Sequence, residues 1–422
     1  MKAQWKAPAF FLLLLLTLPV LQACGGAGAW EGTMTDSAGI TVVHNTATPL
    51  WGSGDAWTVT EDLRIGTIAG EPEYQFGQIL PVGSIDVDAE GNIYVMDGQA
   101  LEAKVYDPQG TYLRTIGGPG SGPGEFSAQA FFLFTDNAGR VLIPDLGNQR
   151  VSIFDTSGSL AGSFPIQLQA GIPARWKVDA AGRVMAQLRG LNVPGIAALE
   201  EGDPIVVYDT TGAVVDTVAI LPKGETLQEI SQEQFSMLMF APEPIWDLDA
   251  AGAVLYGMNN EFRILVNDSE GNLVRVITFP AERKLVGETD KTAILGLFRD
   301  QMETAGAPPA QIEQILQGIG FAEYYPAFSQ ILAGPDNTLW VQQVQNADDL
   351  TEGAEEEAEV DFQDLGSPNW DIFDSEGRYL GTIALPDRFS PVTVRGNQIF
   401  GVWADELDVQ YVMRLTIDMG SA

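Results

Sequence analysis

The 422-residue chain contains one cysteine and one histidine. The first count excludes an intramolecular disulfide; the second excludes His-rich zinc or iron centres and argues against a His-based catalytic triad. Basic residues are also scarce, with 22 Lys and Arg against 57 Asp and Glu and a formal charge of −35. Such a surface repels phosphate backbones and anionic lipid, and no Lys/Arg cluster offsets it, so nucleic acid is not expected as a partner. What the chain has is an ordinary apolar fraction of 45%, enough for a large core, together with 46 Gly.

Lys2 and Lys6 flank the start of an apolar run, Ala7 to Leu21, that is too short for a comfortable membrane span. Residues 1–23 therefore read as a signal peptide. The run ends in Leu21-Gln22-Ala23-Cys24, which resembles the bacterial lipobox, where a Cys after a small residue is lipidated and becomes the new N-terminus. The one Cys of the chain stands where that motif needs it, so Cys24 is the expected lipidation site and a membrane the expected partner. Residues 24–35, opening Gly25-Gly26-Ala27-Gly28-Ala29 after the Cys, are expected to form a flexible tether. Loss of residues 1–23 removes two Lys and no acid, so the mature charge falls to −37. By resemblance to Gram-negative lipoproteins, Gly25 instead of Asp after the Cys implies the outer membrane, with the domain in the periplasm or on the surface.

The rest of the chain, 36–422, repeats itself. Val87-Asp88-Ala89-Glu90-Gly91-Asn92-Ile93-Tyr94-Val95, followed by Val105-Tyr106-Asp107-Pro108-Gln109-Gly110, matches Thr135-Asp136-Asn137-Ala138-Gly139-Arg140-Val141-Leu142-Ile143, followed by Ile153-Phe154-Asp155-Thr156-Ser157-Gly158. Each unit holds two tight turns. The first recurs with Gly91, Gly139, Gly182, Gly252, Asn337 and Asn397 at its critical position, where a left-handed backbone favours Gly or Asn. The second, Asp-x-x-Gly, ends at Gly110, Gly158, Gly212, Gly271 and Gly377. Short β-branched or alternating runs lie between the turns, so each unit reads as a four-stranded antiparallel meander, A to D, which is one propeller blade. Six units predict an all-β, six-bladed β-propeller. The sixth ends after three strands, and the stretch from Leu63 to Gly70 is expected to supply the fourth and close the ring.

Gly91–Asp97, Val105–Gly110 and the run Gly117 to Phe126 resemble NHL-type repeats, most strongly over residues 82–165. Together with the lipobox and the lead-in Asp36 to Val43, the chain is similar to six-bladed propeller lipoproteins of environmental bacteria, a family without a general assigned activity. It departs from the usual repeat at Gln149, where Asn-His-Arg is common.

In a meander blade the A–B and C–D turns lie on one face and the B–C and D–A connections on the other. The insertions 190–204, 222–244, 280–330 and 344–369 therefore share one face. Two look helical, Glu225–Met239 and Glu288 to Gln317, the latter broken at Gly306-Ala307-Pro308-Pro309. Such α-helical insertions, within 222–244 and 280–330, would either cover exposed apolar surface or form a lid over a central pocket.

The candidate ligand-binding residues are Arg175, Trp176 and Trp246, the two Trp holding one register on strand A of adjacent blades. Interblade packing is the commoner role for such Trp. Asp86 to Gly91, with Asp97 at the twelfth position, mimics a calcium loop but is explained by the repeat. The glycine-rich Gly117–Gly124 lacks Gly-Lys-Ser/Thr and leads into a strand, so it reads as an interblade loop. The acidic run Glu352 to Asp364 reads as a solvated insertion. The expectation is a non-catalytic envelope protein, without cofactor, that binds a small-molecule or protein ligand on its insertion-bearing face. The alternative resembles the gluconolactonase-type propellers: a metal-dependent lactonase or esterase with Ca²⁺ or another divalent cation in the central channel. Its ligand residues cannot be mapped onto this chain.

Overall fold

Asp-led turns set the architecture. In each one the first Asp accepts the backbone N–H groups two and four residues on, and a residue of positive φ closes the bend. Asp136 does so with Ala138 and Arg140 at 2.9 Å each, and Asp155 with Ser157 and Ser159 at 2.9 and 3.0 Å. The five predicted C–D glycines all have φ between 81° and 87°. At the A–B turns Gly91, Gly139, Gly182, Gly252 and Asn337 also have positive φ, whereas in blade six Gly396 at 58°, not Asn397, takes that conformation.

A computed structural model describes residues 29–52, 56–190, 199–225, 227–230, 235–345 and 366–420. The signal peptide, Cys24 and the acidic run lie outside the described residues, as does most of the 190–204 insertion. Blade one comprises Ile85–Val87, Ile93–Asp97, Glu102–Tyr106 and Tyr112–Ile116; blade two comprises Phe134–Thr135, Val141–Asp145, Arg150–Phe154 and Leu160–Pro165. Blade three is Ile172–Val178, Val184–Arg189, Asp203–Tyr208 and Val214–Leu221; blade four is Pro244–Leu248, Val254–Met258, Arg263–Asn267 and Leu273–Thr278. Ile331–Ala333, Leu339–Val344, Gly366–Phe373 and Tyr379–Ala384 make blade five. Blade six takes Phe389–Arg395, Gln398–Ala404 and Gln410–Asp418 from the end of the chain and Thr58–Ile65 from its start. That last pairing, from Thr58 opposite Asp418 to Ile65 opposite Val412, closes the ring. The closing strand thus begins earlier than the stretch from Leu63.

A strand begins at Thr33, inside the stretch assigned to the tether. Thr33–Ser37 and Ile40–His44 form a hairpin whose second strand adds in parallel to the outer strand of blade four. His44 ends there, its Nδ1 3.0 Å from Thr278 Oγ1.

The second helical prediction holds: α1 (Glu288–Thr304) and α2 (Pro309–Gln317) flank the Gly306 break, and Arg299 pairs with Glu313 between them at 2.5 Å. The first is corrected. Leu227–Ile230 and Phe235–Met239 form an antiparallel hairpin, and Phe235–Met239 also pairs in parallel with Ile319–Phe321. Met239 and Phe240 pack with Ile294, Ile312 and Leu316 of the helices. A partner strand about eighty residues away offers ladder bonds and this apolar cover together, which overrides a helix-like spacing.

Blades pack face to face through apolar clusters between neighbours, and polar clasps hold the connections. Asp97 and Asp145, the last residues of strand B in blades one and two, reach back to the segment that leads into strand A. Asp97 accepts the N–H groups of Gly77 and Gln78 at 2.9 and 3.2 Å. Asp145, fully buried, accepts Ser127 N at 2.8 Å, Ser127 Oγ, Asn148 N at 3.0 Å and Asn148 Nδ2 at 2.7 Å. Replacing Asp145→Ala strands several donors, and we expect a loss of about 2–4 kcal/mol. A denaturant melt compared with the parent checks this; an unchanged midpoint would refute the clasp.

Candidate functional site

The calcium-like stretch does not converge on a point. Asp88 accepts Glu90 N, Asn92 N, Asn92 Nδ2 and the Tyr94 hydroxyl at 2.8–3.1 Å within its own turn, while Asp97 serves the clasp at the other end of strand B. Among the described residues no group of three or more His, Cys, Asp and Glu side chains is placed to hold a metal ion. The cation-centred alternative therefore finds no ligand set in them. The glycine-rich loop is an interblade connection, and Arg150 braces it by donating to the carbonyls of Ser121, Gly122 and Glu125.

The three candidate residues lie at the contacts of blades two, three and four. Trp176 is stacked between Phe134 and Tyr208, with ring centroids 5.9 and 5.3 Å away. It is buried, and its Nε1 has no hydrogen-bond partner among the described residues. Trp246 is fully buried and donates to Gln187 Oε1 at 2.9 Å; Gln187 in turn donates to Asp203 Oδ2 at 2.9 Å. Arg175 donates to Trp246 O at 2.5 Å. Both indoles therefore occupy packing positions, although Trp176 also contributes to the wall of the axial cavity.

That cavity, about 580 Å³, is lined by strand A of every blade and by the A–B turns, so it opens on the face opposite the insertions. Asp86 and Asp247 hold equivalent positions in blades one and four, each two residues before the turn Asp. Asp86 meets Arg395 of blade six at 2.6 Å and accepts Thr135 N and Oγ1 of blade two at 2.8 and 2.9 Å. Asp247 meets Lys177 of blade three at 2.6 Å and accepts Ala333 N of blade five at 2.9 Å. Each acid thus ties three successive blades. Burial opposes the charge on Asp247, but Lys177 and then Arg175 outweigh it and hold its carboxyl below the usual range. Asp86 and Asp247 thus brace the axial ring as a structural girdle, while Asp88, Asp249 and Asp336 line the axial cavity without an ion pair among the described residues.

A second cavity, about 600 Å³, lies between blades four and five. Ala281, Lys284, Tyr325 and Ala327 on one wall belong to the base of the helical insertion, where Tyr325 N bonds Lys284 O at 2.9 Å and Val286 N bonds Glu323 O at 3.0 Å. Gln343 to Gln345 and Ser367 to Asn369, the described ends of the 344–369 insertion, form the other wall, and Phe262 and Phe279 lie between. Asp371, only 4% exposed, also lines this cleft. Its Oδ1 accepts Thr382 Oγ1 at 2.8 Å, Gln343 Nε2 at 3.0 Å and the Tyr379 hydroxyl at 3.3 Å. Burial raises its pKa in spite of those three donors, and burial likewise pushes Tyr379 up to about 12. Sequence reading placed the insertions on this face but did not single out Asp371; its weak signal was an acid three residues before the C–D turn Asp, where blades one to four carry Lys104, Ser152, Val206 and Leu265.

The geometry defines the class: a six-bladed β-propeller with an insertion-walled cleft between two blades. No family model and no curated protein matches the sequence. Among solved structures the chain is similar to a member of the DUF4221 family from Bacteroides vulgatus, at TM-score 0.50 and 8% identity over 86% of this chain and 99% of that one. A putative exported protein from Bacteroides fragilis aligns at TM-score 0.49 and 12% identity, over 86% of this chain and 95% of that one. A catalytically inactive virginiamycin B lyase from Staphylococcus aureus, solved with quinupristin, aligns at 0.41 and 11%, over 86% and 99%. At such identities the likeness bears on fold alone.

Proposed function

We propose that this protein is a lipid-anchored cell-envelope propeller of NHL type that binds a small-molecule ligand in the cleft between blades four and five and performs no chemistry on it. The observation that carries the reading is a cleft walled by the base of the helical insertion of one blade and the described ends of the 344–369 insertion of the next, around a buried carboxyl group that has no ion-pair partner among the described residues, whereas Asp86 and Asp247 of the axial ring are held in ion pairs across blades. The lipobox at Cys24 and Gly25 supports anchoring, with the outer membrane as the site. The path of the chain also fits. Trp30 Nε1 donates to Asn45 Oδ1 at 3.0 Å, and Asn45 Nδ2 bonds Thr278 O of blade four and Gly377 O of blade five at 3.2 and 2.9 Å. A tether rooted there would hold the cleft-bearing sector close to the membrane.

The test uses residues 24–422 with Cys24→Ser, which prevents lipidation, purified from envelope-rich extracts and analysed by native mass spectrometry. We expect a co-purifying small molecule on the parent and none on Ala327→Trp, which places an indole in the cleft. Equal occupancy of the two proteins, or a parent that stays empty after incubation with envelope extract, would overturn the reading. Mass analysis of the wild-type N-terminus separately tests acylation of Cys24.

A further inference from the structure

We propose that the cleft takes an organic ammonium ion, a primary amine carried on a compact apolar or aromatic body. This rests on the cleft being the ligand site and adds the class of ligand.

Apart from Asp371, the buried acids of the blades have a cation near them or are saturated by donors, Asp97 with Lys104 at 3.6 Å and Asp203 with Arg189 at 3.4 Å being the looser pairs. Asp86, Asp179 and Asp247 each face an Arg or Lys nitrogen at 2.5–2.6 Å. Asp88 and Asp145 each accept four donors. Asp371 differs on both counts. All three of its hydrogen bonds fall on Oδ1, Oδ2 has none, and no Lys or Arg makes an ion pair with it among the described residues. Oδ2 is not among the fully buried polar atoms that lack a partner, so it faces the cleft, where it is open to a charge-assisted bond from a cationic donor. The apolar wall matches the rest of such a ligand: Phe262 and Tyr325 are buried, Phe279 is half-buried, and all three line the cavity. Aromatic rings around a carboxylate suit an ammonium through charge and ring quadrupole together. Among the described residues the other ionisable groups are Glu282 and Lys284 on the cleft wall and Tyr379 against Asp371, and these groups sum to a net negative charge once Asp371 is ionised. A neutral hydroxyl could donate one bond to Oδ2 but would leave that charge uncompensated.

The probe is phenethylamine, with phenethyl alcohol as its uncharged counterpart, titrated by calorimetry into the Cys24→Ser mature chain at about pH 8. We expect saturable binding of the amine, with the alcohol at least about tenfold weaker. Asp371→Asn should lose about tenfold or more in amine affinity while retaining the parent's cooperative melt, and Ala327→Trp should abolish binding. Affinity should also fall on acidification, and sooner than an ordinary carboxylate would require, because burial holds the Asp371 carboxyl above its usual range. Equal affinity for the alcohol, no effect of Asp371→Asn, or no saturable amine binding would each overturn the amine assignment and leave the cleft reading to its own test. Loss in Asp371→Asn without loss in Ala327→Trp would instead overturn the cleft as the place of binding.

Discussion

A mature chain lacking residues 29–66 is expected to lose cooperative folding altogether. The deletion removes Thr58–Ile65, the fourth strand of blade six, and leaves Gln410–Asp418 as an open edge. Val412, Leu415 and Ile417, each at most 2% exposed, lie along that edge, and Ile65 is lost from the cluster it forms with Ile85 and Val402. In an open sheet one frayed edge is tolerable, but in a propeller each blade is the wall of the next, so an incomplete blade weakens two interfaces and the ring contact at once. The penalty is therefore set against the whole stability of the domain, about 5–15 kcal/mol, not against a single strand. Calorimetry should show no sharp transition, with dye binding that reports exposed apolar surface. Deleting residues 29–56 is the control. It removes the hairpin on blade four, including fully buried Val43, yet keeps the closing strand, and should melt cooperatively at a lowered temperature. A sharp transition within a few degrees of the parent for the longer deletion would contradict closure as the keystone.

Lys177→Met is expected to cost about 2–3 kcal/mol at neutral pH, with a deficit that shrinks on acidification. Lys177 is a quarter exposed and Asp247 nearly buried, so the pair is only partly screened, and Arg175 remains as a weaker compensating charge. In the parent the native carboxyl of Asp247 lies below its ordinary value. Its ionised form therefore stabilises the fold above the unfolded pKa of about 4, and that contribution is lost as the pH falls through the lower native value. Without Lys177 the burial penalty dominates and the native pKa rises, so the variant is worst where the carboxylate must stay charged and recovers when it can take a proton. Melts of parent and variant at about pH 7 and pH 4 give the difference. A deficit independent of pH would mean that Lys177 acts through packing alone.

The blades were legible because their punctuation is chemical and local. An Asp that bonds amides two and four residues on, with a Gly of positive φ between them, is a five-residue device, and its repetition announced the sheet order before any tertiary contact was known. The α1–α2 break was legible for the same reason, since Gly306 and Pro309 act on their own backbone. Leu227–Met239 was not: its strand form depends on Ile319–Phe321, which no short window contains.

The candidate site divides along the same line. Topology alone assigned the insertions to one face, because loops alternate along a meander whatever their composition. Which polar groups meet there is another matter. Trp176 and Trp246 share a register that suggested a binding site, yet Phe134 of blade two and Tyr208 of its own blade enclose the first, and Gln187 of blade three holds the second. Asp371 reads as one acid among 57 until strands B and D of its own blade bring Gln343, Tyr379 and Thr382 to a single oxygen. Asp86 and Asp247 likewise gain their meaning from partners on the blades either side. The repeat, the closing strand and the face of the insertions thus follow from order along the chain, since turns and alternation are short-range. The cleft, the carboxylate that faces it and the axial girdle arise from juxtaposition across blades, because burial and pairing are properties of neighbours that the linear chain does not name.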